Sequence, residues 1–147
     1  AHGSIAKIAR QANLQYEVTL NGRIEDLERL ADAANLAAYR IIQESVTNII
    51  KHAYATRCRI TMSIRERGNE QLLILSVQDD GIGLDTKNVE KYFISMRDRA
   101  LTLNGSLHIR SRFGLRVHAL LKQNIVPYDK SVGSTSMLQR ALRADLS

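Results

Sequence analysis

From residue 33 to residue 52 the sequence contains neither glycine nor proline, and Leu36, Tyr39, Ile42, Val46 and Ile49 recur at three- and four-residue steps. That period marks one face of an α-helix, so the spacing predicts a long amphipathic helix over 33–52. Such a helix gains its stability from a covered apolar stripe, which requires a second layer from the rest of the chain. Two β-rich runs, 58–66 and 71–78, follow it, joined by Arg67-Gly68-Asn69-Glu70, a short glycine-containing connection of hairpin type. Ahead of it, Ile5, Ile8, Ala9 and Ala12 give helical spacing over 5–13, and Tyr16-Glu-Val-Thr-Leu20 alternates as a strand does before the Asn21-Gly22 turn. Behind it, a helix over about 95–103 stops at Asn104-Gly105, and 107–111 with 115–121 read as a second hairpin turning near Phe113-Gly114.

This order of elements makes the fold class α+β: a two-layer sandwich of a mixed, largely antiparallel sheet covered on one face by helices. With 147 residues, 44% hydrophobic and 24% charged, the chain can close one ordinary core without a disulfide or metal. Residues 1–14 read as an N-terminal helix and linker, of which 1–4 have the look of a cloning remnant. Residues 15–122 read as the domain, and 123–147 as a polar tail, punctuated by Pro127 and Gly133 and loosely docked or partly disordered. The lone cysteine, Cys58, reads as an inward-facing strand residue; a single thiol makes no internal disulfide, in keeping with a reducing compartment. No apolar run approaches the ~18 residues of a membrane span, so no membrane insertion of this stretch is expected.

The net charge of +6 lies wholly toward the C-terminus: residues 1–96 carry 12 Lys and Arg against 12 Asp and Glu, while 97–147 carry nine against three. The latter segment could make a patch for phosphates or an acidic protein. With 5% aromatics and no nucleic-acid motif, specific nucleic-acid binding is not expected.

On the long helix Glu44, Asn48 and His52 stand four residues apart and project from one face, with Lys51 beside them. Taken alone, such a stripe is an ordinary solvated face. A second signal changes its weight. Asp79-Asp80-Gly81-Ile82-Gly83 follows directly on the apolar run 72–77, which puts a carboxylate at a strand end with two glycines behind it. Glycines permit positive φ and close backbone approach, and an ionised carboxylate can accept a hydrogen bond from an adenine amino group.

The E-x-x-x-N-x-x-K-H helix and the D-x-G-x-G turn about thirty residues later together resemble the Bergerat-type ATP-binding domain shared by histidine kinases, Hsp90-type chaperones, type II topoisomerase subunits and mismatch-repair proteins. Within that group, Tyr39-Arg-Ile-Ile-Gln-Glu-Ser-Val-Thr-Asn-Ile-Ile-Lys-His-Ala-Tyr-Ala55, Met96-Arg-Asp-Arg-Ala100 and Asn104-Gly-Ser-Leu-His-Ile109 resemble the nitrate-sensing and hexose-phosphate-sensing histidine kinase class, over about 15–121. The resemblance implies ATP and Mg²⁺ as cofactors. It gives Asn48 a share in ligating Mg²⁺ and Glu44 the task of aligning, or taking a proton from, the attacking group; Lys51 and His52 lie near the phosphates. Asp79 reads the adenine amino group, Gly81 and Gly83 shape the adjoining wall, and Met96 and Arg97 contribute to the nucleotide site. It further implies a bacterial two-component system with two partners, a histidine-bearing dimerisation domain of the same kinase and a response regulator. The implied location is cytoplasmic, including the cytoplasmic part of a membrane-anchored sensor.

The sequence departs from the class pattern twice. Asn88-Val-Glu-Lys-Tyr-Phe-Ile-Ser95 holds no glycine, with Tyr92 standing where the class has one, and Phe113-Gly114-Leu115-Arg116 lacks the class's Gly-Thr before the final strand. Backbone amides cradle phosphate only where the chain can come close to it. Two readings follow: a catalytic domain that binds Mg·ATP for phosphoryl transfer to a histidine on a separate domain, or a nucleotide-weak or nucleotide-free degenerate domain acting as a signalling interaction module. None of His2, His52, His108 and His118 substitutes for the missing substrate histidine, so efficient autophosphorylation of the chain by itself is not expected.

Overall fold

The structure, a computed structural model, describes residues 4–30, 32–83, 89–111, 113–124 and 138. In chain order the elements are α1 (Ser4–Gln11), β1 (Gln15–Asn21), a 3-10 turn (Ile24–Arg29), α2 (Asp32–Asn48) continued by a π-helical turn (Ile49–Ala53), β2 (Arg57–Arg67), β3 (Glu70–Asp79), α3 (Val89–Thr102), β4 (Ser106–Ser111) and β5 (Leu115–Asn124). The strands form one sheet in the order β1-β2-β3-β5-β4. β1 and β2 run parallel, with Val18 opposite Ile60, and the other neighbours are antiparallel. Parallel neighbours need a crossover connection, and the 3-10 turn and α2 lie within it. The expected α+β sandwich with a mixed, largely antiparallel sheet is the fold observed.

Alternation along the strands separates the two faces. β3 turns Gln71, Leu73, Leu75, Val77 and Asp79 inward, and register sets Leu75 opposite Met62 on β2 and Ala119 on β5. One face is therefore apolar across the central strands. Ile41, Ile42 and Val46 of α2 and Phe93, Met96 and Ala100 of α3 are buried in the same core, joined by Ile5 and Ala9 of α1. Leu138, from the segment that read as a tail, is also part of this core, and β5 runs to Asn124. The rest of 125–147 lies outside the described residues, as do 1–3 and 84–88.

Three local features differ from the sequence reading. The long helix changes to a π turn at Ile49 and ends on Tyr54, a left-handed residue at φ 51°. The 3-10 turn is an addition. α3 begins at Val89 rather than near 95, because nothing from Val89 onward breaks a helix: the run has no glycine or proline.

At the end of α3, Asn104 N–H donates to Leu101 O at 3.0 Å and Gly105 N–H to Ala100 O at 2.9 Å, the paired bonds of a Schellman cap. The left-handed residue is Asn104, at φ 55°, not the glycine. Gly105 is required for a different reason: a Cβ there would run into the Leu120 carbonyl oxygen on β5. Gly105→Ala is expected to destabilise the fold by about 2–3 kcal/mol through overpacking, whereas Asn104→Gly should change stability by only about 0.5 kcal/mol or less. Urea midpoints of the two variants against the parent measure the contrast.

Candidate functional site

β3 ends on Asp79, so the last residue of its inward row is a carboxylate where the parity of the strand calls for an apolar side chain. It is 4% exposed. Asp79 Oδ1 accepts a hydrogen bond from the Gly81 N–H at 2.7 Å, and the Leu115 N–H also bonds the carboxylate. Oδ2 is buried and accepts no hydrogen bond from a described residue. Burial raises the Asp79 pKa above the usual carboxylate value, with the Gly81 and Leu115 N–H groups pulling against it and the negative charge of Asp80 adding to it. What remains is one inward acceptor atom without a donor.

The surroundings hold that carboxylate in place. Gly114, at φ 92°, passes so close that a Cβ would meet the Asp79 carbonyl oxygen and lie 3.1 Å from Asp79 Oδ1. Any side chain at 114 would therefore displace the carboxylate, a role that the sequence reading, which saw Gly114 only as a turn residue, did not find. Gly83 is buried at φ 80° and backs onto Ser111 of β4. Beside Asp79, Cys58 is buried on β2; burial, then the charges of Asp79 and Asp80, push its thiol up to about 12. Asp80 faces outward and ties the end of the helix to the sheet, accepting from the Thr56 N–H at 2.8 Å, the Thr56 hydroxyl at 2.7 Å and the Arg57 N–H at 2.9 Å. The Thr56 hydroxyl, followed by the Arg57 N–H, lowers the Asp80 pKa to about 2. A recess of about 460 Å³ lies over the ends of β1, β2 and β3, lined largely by outward-facing residues such as Gln15, Glu17, Arg57, Arg59 and Gln78, with none from α2; Asp79, whose side chain turns to the other face, borders it.

The polar stripe of α2 faces α3. Glu44 Oε2 accepts from the Ser95 hydroxyl at 2.7 Å, and Arg99 Nε lies 3.9 Å from Glu44 Oε1. Asn48 Nδ2 donates to the Tyr92 carbonyl oxygen at 3.3 Å. The His52 ring stands 4.6 Å from the Tyr92 ring, tilted by 39°. Four-residue spacing on α2 thus meets three- and four-residue spacing on α3, as two packed helices require.

Of the nine residues singled out in the sequence, Asp79, Gly81 and Gly83 gather at the end of β3, and Glu44, Asn48 and His52 line the α2–α3 seam. Lys51 is exposed. Met96 turns into the core, where its sulfur accepts from the Ser45 hydroxyl at 3.4 Å, so its side chain does not reach the surface of the site. Arg97 pairs with Glu90 on its own helix. Sequence reasoning missed Ser95 and Arg99, whose partnership with Glu44 depends on tertiary packing across 51 residues and more.

Fold and site together define an α+β domain with one buried carboxylate oxygen lacking a donor at the end of β3 and a polar seam between α2 and α3. The chain belongs to the family described as histidine kinase-, DNA gyrase B- and HSP90-like ATPase, whose model matches residues 33–125. That family implies ATP as the ligand. The chain is 31% identical over 131 residues to the signal transduction histidine-protein kinase/phosphatase UhpB of Salmonella typhimurium, which covers 84% of this chain and 25% of the relative. It is 34% identical over 105 residues to an uncharacterised sensor-like histidine kinase of Chloroflexus aurantiacus, covering 66% of this chain and 17% of that one. The chain thus spans about a quarter, or less, of the length of these relatives. Among solved structures it matches the mycobacterial sensor histidine kinase MprB with a TM-score of 0.55 at 14% identity, covering 84% of this chain and 91% of that one; at that identity the likeness speaks for the fold alone. With these relatives the chain is a catalytic ATP-binding domain of the sensor histidine kinase kind. No helix among the described residues is long and apolar enough to cross a membrane.

Two solution measurements check the local chemistry. The native Cys58 thiol should resist alkylation at pH 8 and react only on unfolding, since the thiolate is the reactive form. Because the folded Asp80 pKa, about 2, lies below its ordinary value of 3.8, the unfolded chain takes up the proton first. The stability that Asp80 contributes is present above pH 4 and is lost as the pH falls toward 2. Asp80→Asn should flatten that part of the acid-unfolding curve; an unchanged slope would dissociate Asp80 from the helix end.

Proposed function

We propose that the chain binds Mg·ATP and presents the γ-phosphate to a histidine on a separate dimerisation domain of the same kinase, with a response regulator as the final acceptor, in the cytoplasm where ATP is available. The observation that carries this reading is Asp79 Oδ2, a buried acceptor without a donor, to which an adenine amino group can donate. The fixed position of its other oxygen on the Gly81 N–H makes it a pre-oriented acceptor, and Gly81 and Gly83 form the wall beside it. At the other end, Asn48 supplies an amide oxygen, a hard ligand of the kind Mg²⁺ takes alongside phosphate oxygens and water. Bound Mg²⁺ would neutralise charge on the phosphates. Lys51, exposed three residues further on in the π turn, is a cation suited to the same task, and Arg97 a further one once released from Glu90. Glu44 is the carboxylate available to align the attacking histidine, and its bond to Ser95 holds it in one orientation. Catalysis of this kind is positioning and charge neutralisation.

One observation favours the second reading, a degenerate domain that serves as an interaction module: α3 already makes contacts with Glu44, Asn48 and His52. Calorimetric titration with a non-hydrolysable ATP analogue, with and without Mg²⁺, separates the two. Binding in the micromolar to sub-millimolar range, weakened at least about ten-fold by Asp79→Asn, is expected, since a lost hydrogen bond to a charged acceptor is worth about 1.5–3 kcal/mol. Asn48→Asp should alter the Mg²⁺ dependence. No binding at millimolar nucleotide would leave the interaction module.

A further inference from the structure

Asp79 and the α2 stripe are joined by a short piece of chain. Thr56 N–H bonds the Asp80 carboxylate at 2.8 Å, and Thr56 follows His52 by four residues, a stretch that spans at most about 14 Å. His52 and Asn48 therefore lie within reach of the phosphates of a nucleotide whose adenine is held at Asp79. What meets them there is Tyr92. Its ring covers the His52 imidazole at 4.6 Å and its carbonyl oxygen accepts from the Asn48 amide at 3.3 Å. A carbonyl oxygen directed at Asn48 sets partial negative charge where an anion would otherwise approach, and the ring fills space beside the one imidazole of the stripe.

We propose that Tyr92 plugs the γ-phosphate end of the nucleotide site, so that the chain holds adenine nucleotides without gaining affinity from the terminal phosphate until the start of α3 lets go of His52 and Asn48. The proposal rests on the nucleotide reading of Asp79. Phe93, Met96 and Ala100 are fully buried and pin α3 to the core, so release cannot be a shift of the whole helix. It is confined to the first turn, Val89 to Tyr92, in which Glu90 and Lys91 are exposed and the Tyr92 ring packs against His52 in the π turn that continues α2. Helix ends fray readily. The contacts to be broken are one tilted ring pair and one long hydrogen bond, which together correspond to about a ten-fold change in affinity. Tyr92 is thus a specificity-determining residue that sets how much the third phosphate counts.

The test compares ADP with a non-hydrolysable ATP analogue, both with Mg²⁺, on the parent, Tyr92→Phe, Tyr92→Ala and Asp79→Asn. The parent and Tyr92→Phe, which keeps the ring, should bind the two nucleotides within about three-fold of each other; the main-chain carbonyl at 92 is common to all the variants. Tyr92→Ala, which removes the ring and leaves the main-chain carbonyl, should bind the triphosphate analogue about five-fold more tightly than the parent does, with ADP affinity changed less than about two-fold. Tyr92→Gln carries the same comparison should the alanine variant not fold. A parent that already prefers the triphosphate by more than ten-fold, or a ratio unmoved in Tyr92→Ala while binding stays sensitive to Asp79→Asn, overturns the plug and leaves the nucleotide reading standing. Absence of nucleotide binding in the parent and both Tyr92 variants overturns both.

Discussion

β3 runs through the middle of the sheet, and its apolar side chains stay buried only while β2 and β5 keep register with it. A slip of one residue would turn Leu73, Leu75 and Val77 outward and bury Ser76 and Gln78 in their place. The same parity carries a polar residue inward at each end of the row: Gln71, 3% exposed, and Asp79, 4% exposed. Their fates differ. Gln71 Oε1 accepts from Gln123 Nε2 at 2.8 Å, so that end is satisfied within the sheet. Asp79 keeps one oxygen unbonded, although leaving a buried acceptor without a donor costs free energy. One end of the row is closed and the other keeps a free acceptor, and the proposed adenine contact rests on that asymmetry.

Much of this was legible in the sequence because it is written in short-range periods. The α2 spacing, the two hairpins and the Asp79-Gly81-Gly83 turn are patterns within a few residues of one another, and each was found close to its observed position. Features set by tertiary packing were not legible. That Gly114 presses on Asp79 depends on how the β4–β5 turn folds back against the end of β3. That Ser95 and Arg99 meet Glu44 depends on how two helices cross. Met96 shows the limit of a carried-over motif: the residue type is where the class has it, yet core packing takes the side chain inward. The stop at Asn104-Gly105 was read in its place, but that Asn104 takes the left-handed position while Gly105 makes room for the Leu120 carbonyl oxygen was not legible.

α3 ties the core to the seam through helical geometry. A helix that buries Phe93, Met96 and Ala100 necessarily presents Tyr92, Ser95 and Arg99 one position earlier, along an adjacent strip, and that strip is the one facing α2. The partners of Glu44, Asn48 and His52 therefore follow from the way α3 is seated. The helical state of its first turn follows from composition: glycine inside a helix costs roughly 1 kcal/mol relative to alanine, and the run 89–95 contains none. Glycines would loosen this turn and uncover the stripe, whereas the residues present extend the helix and cover it. Local stability and exposure of the stripe are thus set by the same few positions and move in opposite directions, so in the proposed nucleotide reading the departure from the class pattern at Tyr92 bears on the ligand more than on the fold.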